Sequence, residues 1–280
     1  MRKLRIVILV VFLVTSVMFG ITEVKRRREI DNTPPVVSAD NDYLQLSVSD
    51  DESAYLQGVS ANDDRDGDVT SSIVIASKSK FTAPGKFKVK YAAFDSHNNV
   101  GYLERYIIFT DYRSPRFSSG LPFRYVNNGT MNSAPDTNKV TADDVVDGDI
   151  SDKIRVDYGY SDADDGSLPA TFEVSNSFGD VVDLSVTYEP VDQASYNLAV
   201  PALDDYILYC NAGEGLDIVS HVNGVLYGTS TSSFEDARYQ ASDVVVDTSG
   251  VDFNTAGTYQ AVVSFSGVDA SVKVYVVVEG

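Results

Sequence analysis

From Asn32 onward the chain alternates apolar and polar residues and nowhere sustains a helical period. Residues 43–48, 87–91, 102–109, 184–188 and 272–278 are rich in β-branched and aromatic side chains, and clusters of Asp, Asn, Gly, Ser and Pro separate them. Successive side chains on a strand point to opposite faces, so each run predicts a strand with one face in a core and the other in water. Many short strands at close spacing predict an all-β chain of sandwiches joined end to end rather than one large barrel. Residues 206–210 read as a further buried strand that carries the one cysteine, Cys210.

The N-terminus breaks this pattern. Arg2, Lys3 and Arg5 precede an uncharged apolar run over 6–22, and Lys25, Arg26, Arg27 and Arg28 follow it. Seventeen helical residues rise about 26 Å, just short of a hydrocarbon core of about 30 Å, a gap that snorkelling Lys and Arg side chains close. Met18, Phe19 and Ile21 stand where a cleavable leader would need small residues, so the segment reads as an uncleaved anchor. Basic residues flank both ends, and the positive-inside rule alone gives no orientation. An N-terminus inside the cell follows from the kind of domain expected after the anchor.

An internal repeat partitions the rest. Asp63, Asp64, Asp66, Gly67, Asp68, Val69, Thr70 and Ile73 return 81 residues later as Asp144, Val145, Asp147, Gly148, Asp149, Ile150, Ser151 and Ile154. The same offset carries Asp95 and Ser96 onto Asn176 and Ser177. A third segment lacks the Asp-Gly-Asp turn, but its Gly257 and Tyr259 echo Gly85 and Phe87. The expected domains are 1–29 (cytoplasmic stub, membrane anchor and basic collar), 30–111, 112–190 and a diverged 191–280, with short linkers at 110–115 and 189–192.

The Asp-rich turns carry the one chemical candidate. Gly67 and Gly148 stand where a turn needs positive φ, flanked by Asp side chains that accept from nearby amides, which is the plain turn reading. Against it, Asp63, Asp64, Asp66 and Asp68, and in the second copy Asp144, Asp147 and Asp149, present the hard oxygen ligands that flexible Ca²⁺ sites use, without the helices or terminal Glu of an EF-hand. No other cofactor is expected.

Charge and composition exclude other classes. A net charge of -19 opposes a phosphate-binding surface, so no nucleic-acid partner is expected. One cysteine allows no intramolecular disulfide. His97 and His221 lack metal spacing and a serine elbow, and carboxylate pairs arise by chance among 41 acidic residues, so the chain reads as a non-enzyme. The 17 Tyr raise a sugar-stacking reading that the absence of Trp weakens. Leu168, Pro169, Ala170 and Thr171 imitate a sortase signal, but Phe172 replaces its Gly and no apolar tail follows.

These motifs resemble the bacterial surface immunoglobulin-like repeats found in tandem on large cell-surface proteins and beside some insecticidal toxin domains. That pattern has Asp-Gly-Asp-[Val/Ile]-[Thr/Ser]-x-x-Ile, then Pro-Gly-x-[Tyr/Phe]-x-Val-x-Tyr, then a strand ending in Asp-x-x-Gly-Asn. The first copy carries all three parts between Asp63 and Gly101, with Asn98 and Asn99 in place of the tight Gly-Asn turn. The second copy keeps the first part, and Pro169, Ala170, Thr171 and Phe172 replace the Pro-Gly-x-Tyr step. The resemblance implies immunoglobulin-like β-sandwiches with an extracellular, non-catalytic role. The resulting expectation is a single-pass cell-membrane protein displaying its modules outside the cell for display, spacing or adhesion, with an unidentified surface protein or glycan as ligand. The alternatives are a structural subunit of a larger envelope assembly and a calcium-stiffened extracellular rod.

Overall fold

Residues Arg2–Glu29 form one helix, α1. In this computed structural model the described residues are 2–29, 31–127, 139–159, 165–235 and 238–280. Within Lys3–Lys25 the most apolar 18-residue window has a mean hydropathy of 2.6, and no part of that window is buried. The 23 residues of Lys3–Lys25 rise roughly 34 Å, with Lys3, Arg5, Glu23 and Lys25 flanking the uncharged run 6–22, and by length and composition the helix is long and apolar enough to cross a membrane. Thr15 and Thr22 fold their hydroxyls back onto the carbonyls of Val11 and Met18, at 3.0 and 2.9 Å, and so present little polar demand to their surroundings. The chain divides into two compact units, Met1–Tyr112 and Arg113–Gly280.

The first unit holds strands β1 (Val36–Ala39), β2 (Tyr43–Leu46), β3 (Val59–Asp63), β4 (Gly67–Asp68), β5 (Val74–Lys78), β6 (Lys86–Phe94) and β7 (Val100–Phe109). They make a three-stranded sheet, β1-β3-β4, and a four-stranded sheet, β2-β7-β6-β5, in which β2 runs parallel to β7. Alternation decides the core, as read from the sequence: Phe87, Val89 and Tyr91 on β6 are fully buried, and Val59, Ala61 and Asp63 form the buried row of β3. The Phe87 ring meets Tyr55 at 5.8 Å and Phe109 at 5.3 Å. Arg105 is buried with its guanidinium on the carbonyls of Tyr55 and Gln57, at 2.6 and 2.7 Å, and 5.5 Å from the Tyr91 ring. At Gly101 a side chain is impossible, since a Cβ there would stand 1.8 Å from the Pro35 carbonyl oxygen.

The second unit continues with β8 (Arg116–Ser119), β9 (Arg124–Val126), β10 (Val140–Asp144), β11 (Gly148–Asp149), β12 (Arg155–Tyr158), β13 (Leu168–Ser175) and β14 (Val181–Val191). A short helix α2 (Gln193–Tyr196), capped by the Asp192 carboxylate, leads to β15 (Ala199–Leu203), β16 (Ile207–Asn211), β17 (Val222–Tyr227), β18 (Ser230–Ser233), β19 (Val244–Asp247), β20 (Gly257–Phe265) and β21 (Ser271–Glu279). The sheet order of the first unit recurs twice: β8-β10-β11 beside β9-β14-β13-β12, and β15-β17-β18 beside β16-β21-β20-β19. In both, the second strand again runs parallel to the last, β9 to β14 and β16 to β21.

These last two sheet pairs are not separate beads on a string. One continuous core includes Phe117, Phe123, Phe172 and Tyr188 together with Tyr206, Ile207, Val274 and Tyr275. Phe123 stands edge-on to Tyr188 at 5.3 Å and to Tyr275 at 5.2 Å. Asp205 accepts from Ser118 Oγ at 2.6 Å and from the Ser119 N–H at 2.8 Å, and Lys273 pairs with Glu189 at 2.6 Å. Residues 189–191, read from sequence as a linker, instead end β14 and pair with β9. The sortase-like residues 168–171 lie in β13, paired to β14 from Leu168 opposite Tyr188 onward. Cys210 is half-buried on β16 opposite Val278, and burial, reinforced by Glu214 and Glu279, pushes its thiol up.

Candidate metal centre

Three segments far apart in sequence bring carboxylates together at one end of the first unit. Asp63 closes β3 on the strand's inward row, so its side chain is buried. Its Oδ1 accepts from the N–H groups of Arg65 and Asp66, both at 2.9 Å, which folds the turn into β4. That leaves Oδ2 buried with no hydrogen-bond partner. Asp95 follows β6, and its Oδ1 accepts from the His97 N–H at 2.8 Å and the Asn99 N–H at 2.7 Å, while Oδ2 accepts from Asn99 Nδ2 at 2.6 Å. Asn98, at φ 65°, takes the left-handed conformation that lets this loop close. Burial works to raise the Asp95 pKa, but the bonds from Asn99 and His97 outweigh it and hold the carboxyl below the usual range.

Asp31, two residues beyond the last described residue of α1, is the third. Its Oδ1 accepts from the Thr33 N–H at 3.0 Å, and its carbonyl accepts from Asn99 Nδ2 at 3.2 Å. Its Oδ2 is buried without a hydrogen bond, 3.6 Å from Arg65 Nε. Asp31, Asp63 and Asp95 are 5, 2 and 7% exposed, and one oxygen from each lies within 4.8 Å of the others. Among the described residues one guanidinium faces the three carboxylates, that of Arg65, whose side chain is 41% exposed.

The residues proposed from sequence divide. Asp63 belongs to this cluster, Asp64 is exposed, and Asp66 and Asp68 serve the turns. Asp66 accepts from the Ser96 N–H at 2.6 Å and Ser96 Oγ at 3.0 Å, and these bonds hold its carboxyl low. Asp68 accepts from the Thr70 N–H at 2.9 Å, and Thr70 lowers it likewise. The second copy repeats the scheme. Asp144 Oδ1 accepts from the N–H groups of Val146 and Asp147 at 2.9 and 2.8 Å, Asp147 takes the Ser177 N–H and Oγ at 2.6 Å each, and Asp149 takes the Ser151 N–H at 3.0 Å. Gly67 and Gly148, at φ 73° and 74°, hold the two turns in the left-handed conformation the sequence predicts.

At the position of Asp95 the two copies differ. Where the first copy has Asp95, the second has Asn176, whose Nδ2 donates to Asp144 Oδ2 at 3.1 Å. The oxygen that stays unpaired on Asp63 is thereby satisfied on Asp144. Asp31 and Asp95, which sequence reasoning passed over, complete the cluster. The signal for Asp95 was its place in register with Asn176, 81 residues on.

Other candidate features carry less chemistry. His97 Nδ1 lies 3.1 Å from Ser96 Oγ, but that hydroxyl already donates to Asp66, the wrong arrangement for an activated nucleophile. His221 pairs with Asp204 at 3.0 Å. A cleft of about 620 Å³ in the second unit is lined by Thr171, Thr187, Tyr259, Gln260 and Tyr275, with Asp247 its single carboxylate. Tyr102 is 57% exposed, but Lys90 Nζ sits 4.4 Å from its ring.

No protein-family model matches the chain, and no curated protein matches it. Several solved structures are similar at low identity. A Clostridium perfringens ZmpB chain with CBM51-2 and INT domains, solved in complex with GlcNAc, is 19% identical over 51% of this chain and 30% of its own length, at a TM-score of 0.23. Human CDH23 EC21-23 is 13% identical over 88% of this chain and all of its own, at 0.23. Drosophila N-cadherin EC1-4 is 14% identical over 90% of this chain and 76% of its own, at 0.21. The chain spans 30 to 50% of the length of the first three solved chains it matches. At these TM-scores the likenesses assign no activity, and the description of the fold rests on its own sheet order.

Proposed function

We propose that this chain is a non-catalytic, single-pass membrane protein of a bacterial cell surface. In this reading α1 is the anchor, the N-terminus is cytoplasmic, and immunoglobulin-like modules at 30–111, 112–190 and 191–280 stand outside the membrane in display, spacing or adhesion. The observation that carries it is α1 itself. A helix whose run 6–22 carries no charge on any side, with none of its most apolar window buried, has no water-facing stripe there with which to sit on a soluble core. The thrice-repeated sheet order behind it supports a modular ectodomain, as repeated units do in surface proteins that need reach rather than a single cleft. A partner protein or glycan is the expected ligand, and the net charge of -19 disfavours polyanions.

The test is alkaline carbonate extraction of membranes from bacteria expressing the full chain. The chain is expected in the pellet. Replacing Leu9 and Leu13 by Arg adds about 3 kcal/mol of insertion cost per residue at the centre of the span and moves it to the supernatant. Release of the unaltered chain by carbonate would rule the anchor out.

A further inference from the structure

We propose that Asp31, Asp63 and Asp95 form a Ca²⁺ site, distinct from the Asp-Gly-Asp loops that suggest one in sequence. The cluster is more than acidic. Asp31 and Asp63 are at least nine-tenths buried; neither Oδ2 accepts a hydrogen bond, and while Asp31 has the Arg65 guanidinium at 3.6 Å, the Asp63 Oδ2 has no hydrogen-bond partner. Burying an ionised carboxylate without a partner is costly, and such groups are normally paired or bound to metal. Among the described residues, with Arg65 counted, the cluster keeps an excess of two negative charges, the number a divalent cation neutralises. The donors are all hard carboxylate oxygens on three separate segments, which suits the flexible oxygen coordination of Ca²⁺ better than the rigid octahedron of Mg²⁺.

The second sheet arrangement is an internal control. The same backbone there holds Asp144 as the first holds Asp63, with two N–H groups on Oδ1. With Asn176 in place of Asp95, an amide N–H fills Oδ2 and one charge disappears. Two near-identical turns thus resolve one buried oxygen in different ways, by a side-chain amide in one copy and by a cation in the other. Because Asp31 lies just after α1, an ion held by all three residues cross-links the chain leaving the helix to the end of β3 and to the loop between β6 and β7. The proposal does not depend on the membrane reading.

The experiment is calorimetric titration of the full chain in detergent with CaCl₂, beside thermal melts in calcium and in EDTA. One saturable site is expected, with a dissociation constant on the order of 0.1 to 1 mM as in extracellular modules. At a hundredfold excess over that constant the first unit should melt about 10 °C higher than in EDTA. Asp95→Asn removes one of three charged ligands, so it should weaken binding at least about 100-fold; its amide offers Asp63 Oδ2 a donor but takes the acceptor from Asn99 Nδ2, so its melt in EDTA should stay close to that of the unaltered chain. Asp64→Asn, outside the cluster, should bind as before. No saturable binding up to about 10 mM, an order above the expected constant, would overturn the proposal. So would undiminished binding by Asp95→Asn, or loss of binding in Asp64→Asn with Asp95→Asn intact, which would return the site to the loop.

Discussion

Replacing Tyr275 by Phe tests whether the two sheet pairs of Arg113–Gly280 are held by specific contacts or by apolar burial alone. The Tyr275 hydroxyl receives the Thr187 N–H at 2.5 Å and Gln260 Nε2 at 2.9 Å, and donates to the Thr187 carbonyl at 3.2 Å. Strand β9 reaches along β14 only from Glu189 to Val191, so at Thr187 that edge has no neighbouring strand and the hydroxyl takes its place. The Phe ring keeps the edge-on contact with Phe123, so the substitution removes only the oxygen. It leaves one backbone N–H and one amide without their acceptor at a half-buried edge. An abandoned donor costs about 1 to 3 kcal/mol, and with water reaching part of this edge the loss should be about 2 kcal/mol. For a unit of this size that lowers Tm by roughly 4 to 8 °C. Urea unfolding followed by circular dichroism reads the change directly, with an unaltered m-value showing that only stability has moved. A loss below about 0.5 kcal/mol, the scatter of ordinary surface substitutions, would refute the bridging role of the hydroxyl.

Further predictions concern burial and close approach. Burial pushes Tyr206 up to about 12, and Tyr209 and Tyr275 in the same direction. An unfolded tyrosine ionises near 10, so the stability this group confers is intact below pH 10 and is lost as pH rises through 12. Tyr206 alone should remove about 1.4 kcal/mol per pH unit, about 3 kcal/mol over the window, and a urea midpoint that stays level from pH 10 to 12 would contradict it. Gly101→Ala places a Cβ 1.8 Å from the Pro35 carbonyl oxygen and should cost the first unit about 3 kcal/mol or prevent its folding. Thermal melts would show the transition of the first unit lowered or missing.

Period-two patterning was enough to locate the long strands. Runs expected at 87–91, 102–109 and 272–278 lie within β6, β7 and β21, and the 81-residue repeat reproduces turn geometry down to the hydrogen bonds of Asp63 and Asp144. The aromatic after Gly85, Phe87, plugs the first core, whereas its echo Tyr259 is only half-buried, with its hydroxyl on the Thr255 carbonyl. The shared core of the second unit was hidden because an apolar residue facing a neighbouring sheet pair looks the same in sequence as one facing its own partner sheet. Tyr275 and Phe123 are examples. The carboxylate cluster was half legible for a geometric reason. Asp63 and Asp64 are adjacent in sequence, and the end of a strand sends one inward and leaves the other exposed, while Asp31 and Asp95 join Asp63 only through the sheet topology. Adjacency suggested ligands that do not converge, and the residues that do converge lie 32 positions away on either side.

The central claim, β units held outside a cell by one N-terminal helix, is tested most directly by adding protease to intact bacteria that express the full chain with an epitope at its C-terminus. The account predicts that the epitope is lost without lysis while a cytoplasmic marker protein survives. An epitope that is protected until the cells are broken would place the β units inside and contradict it.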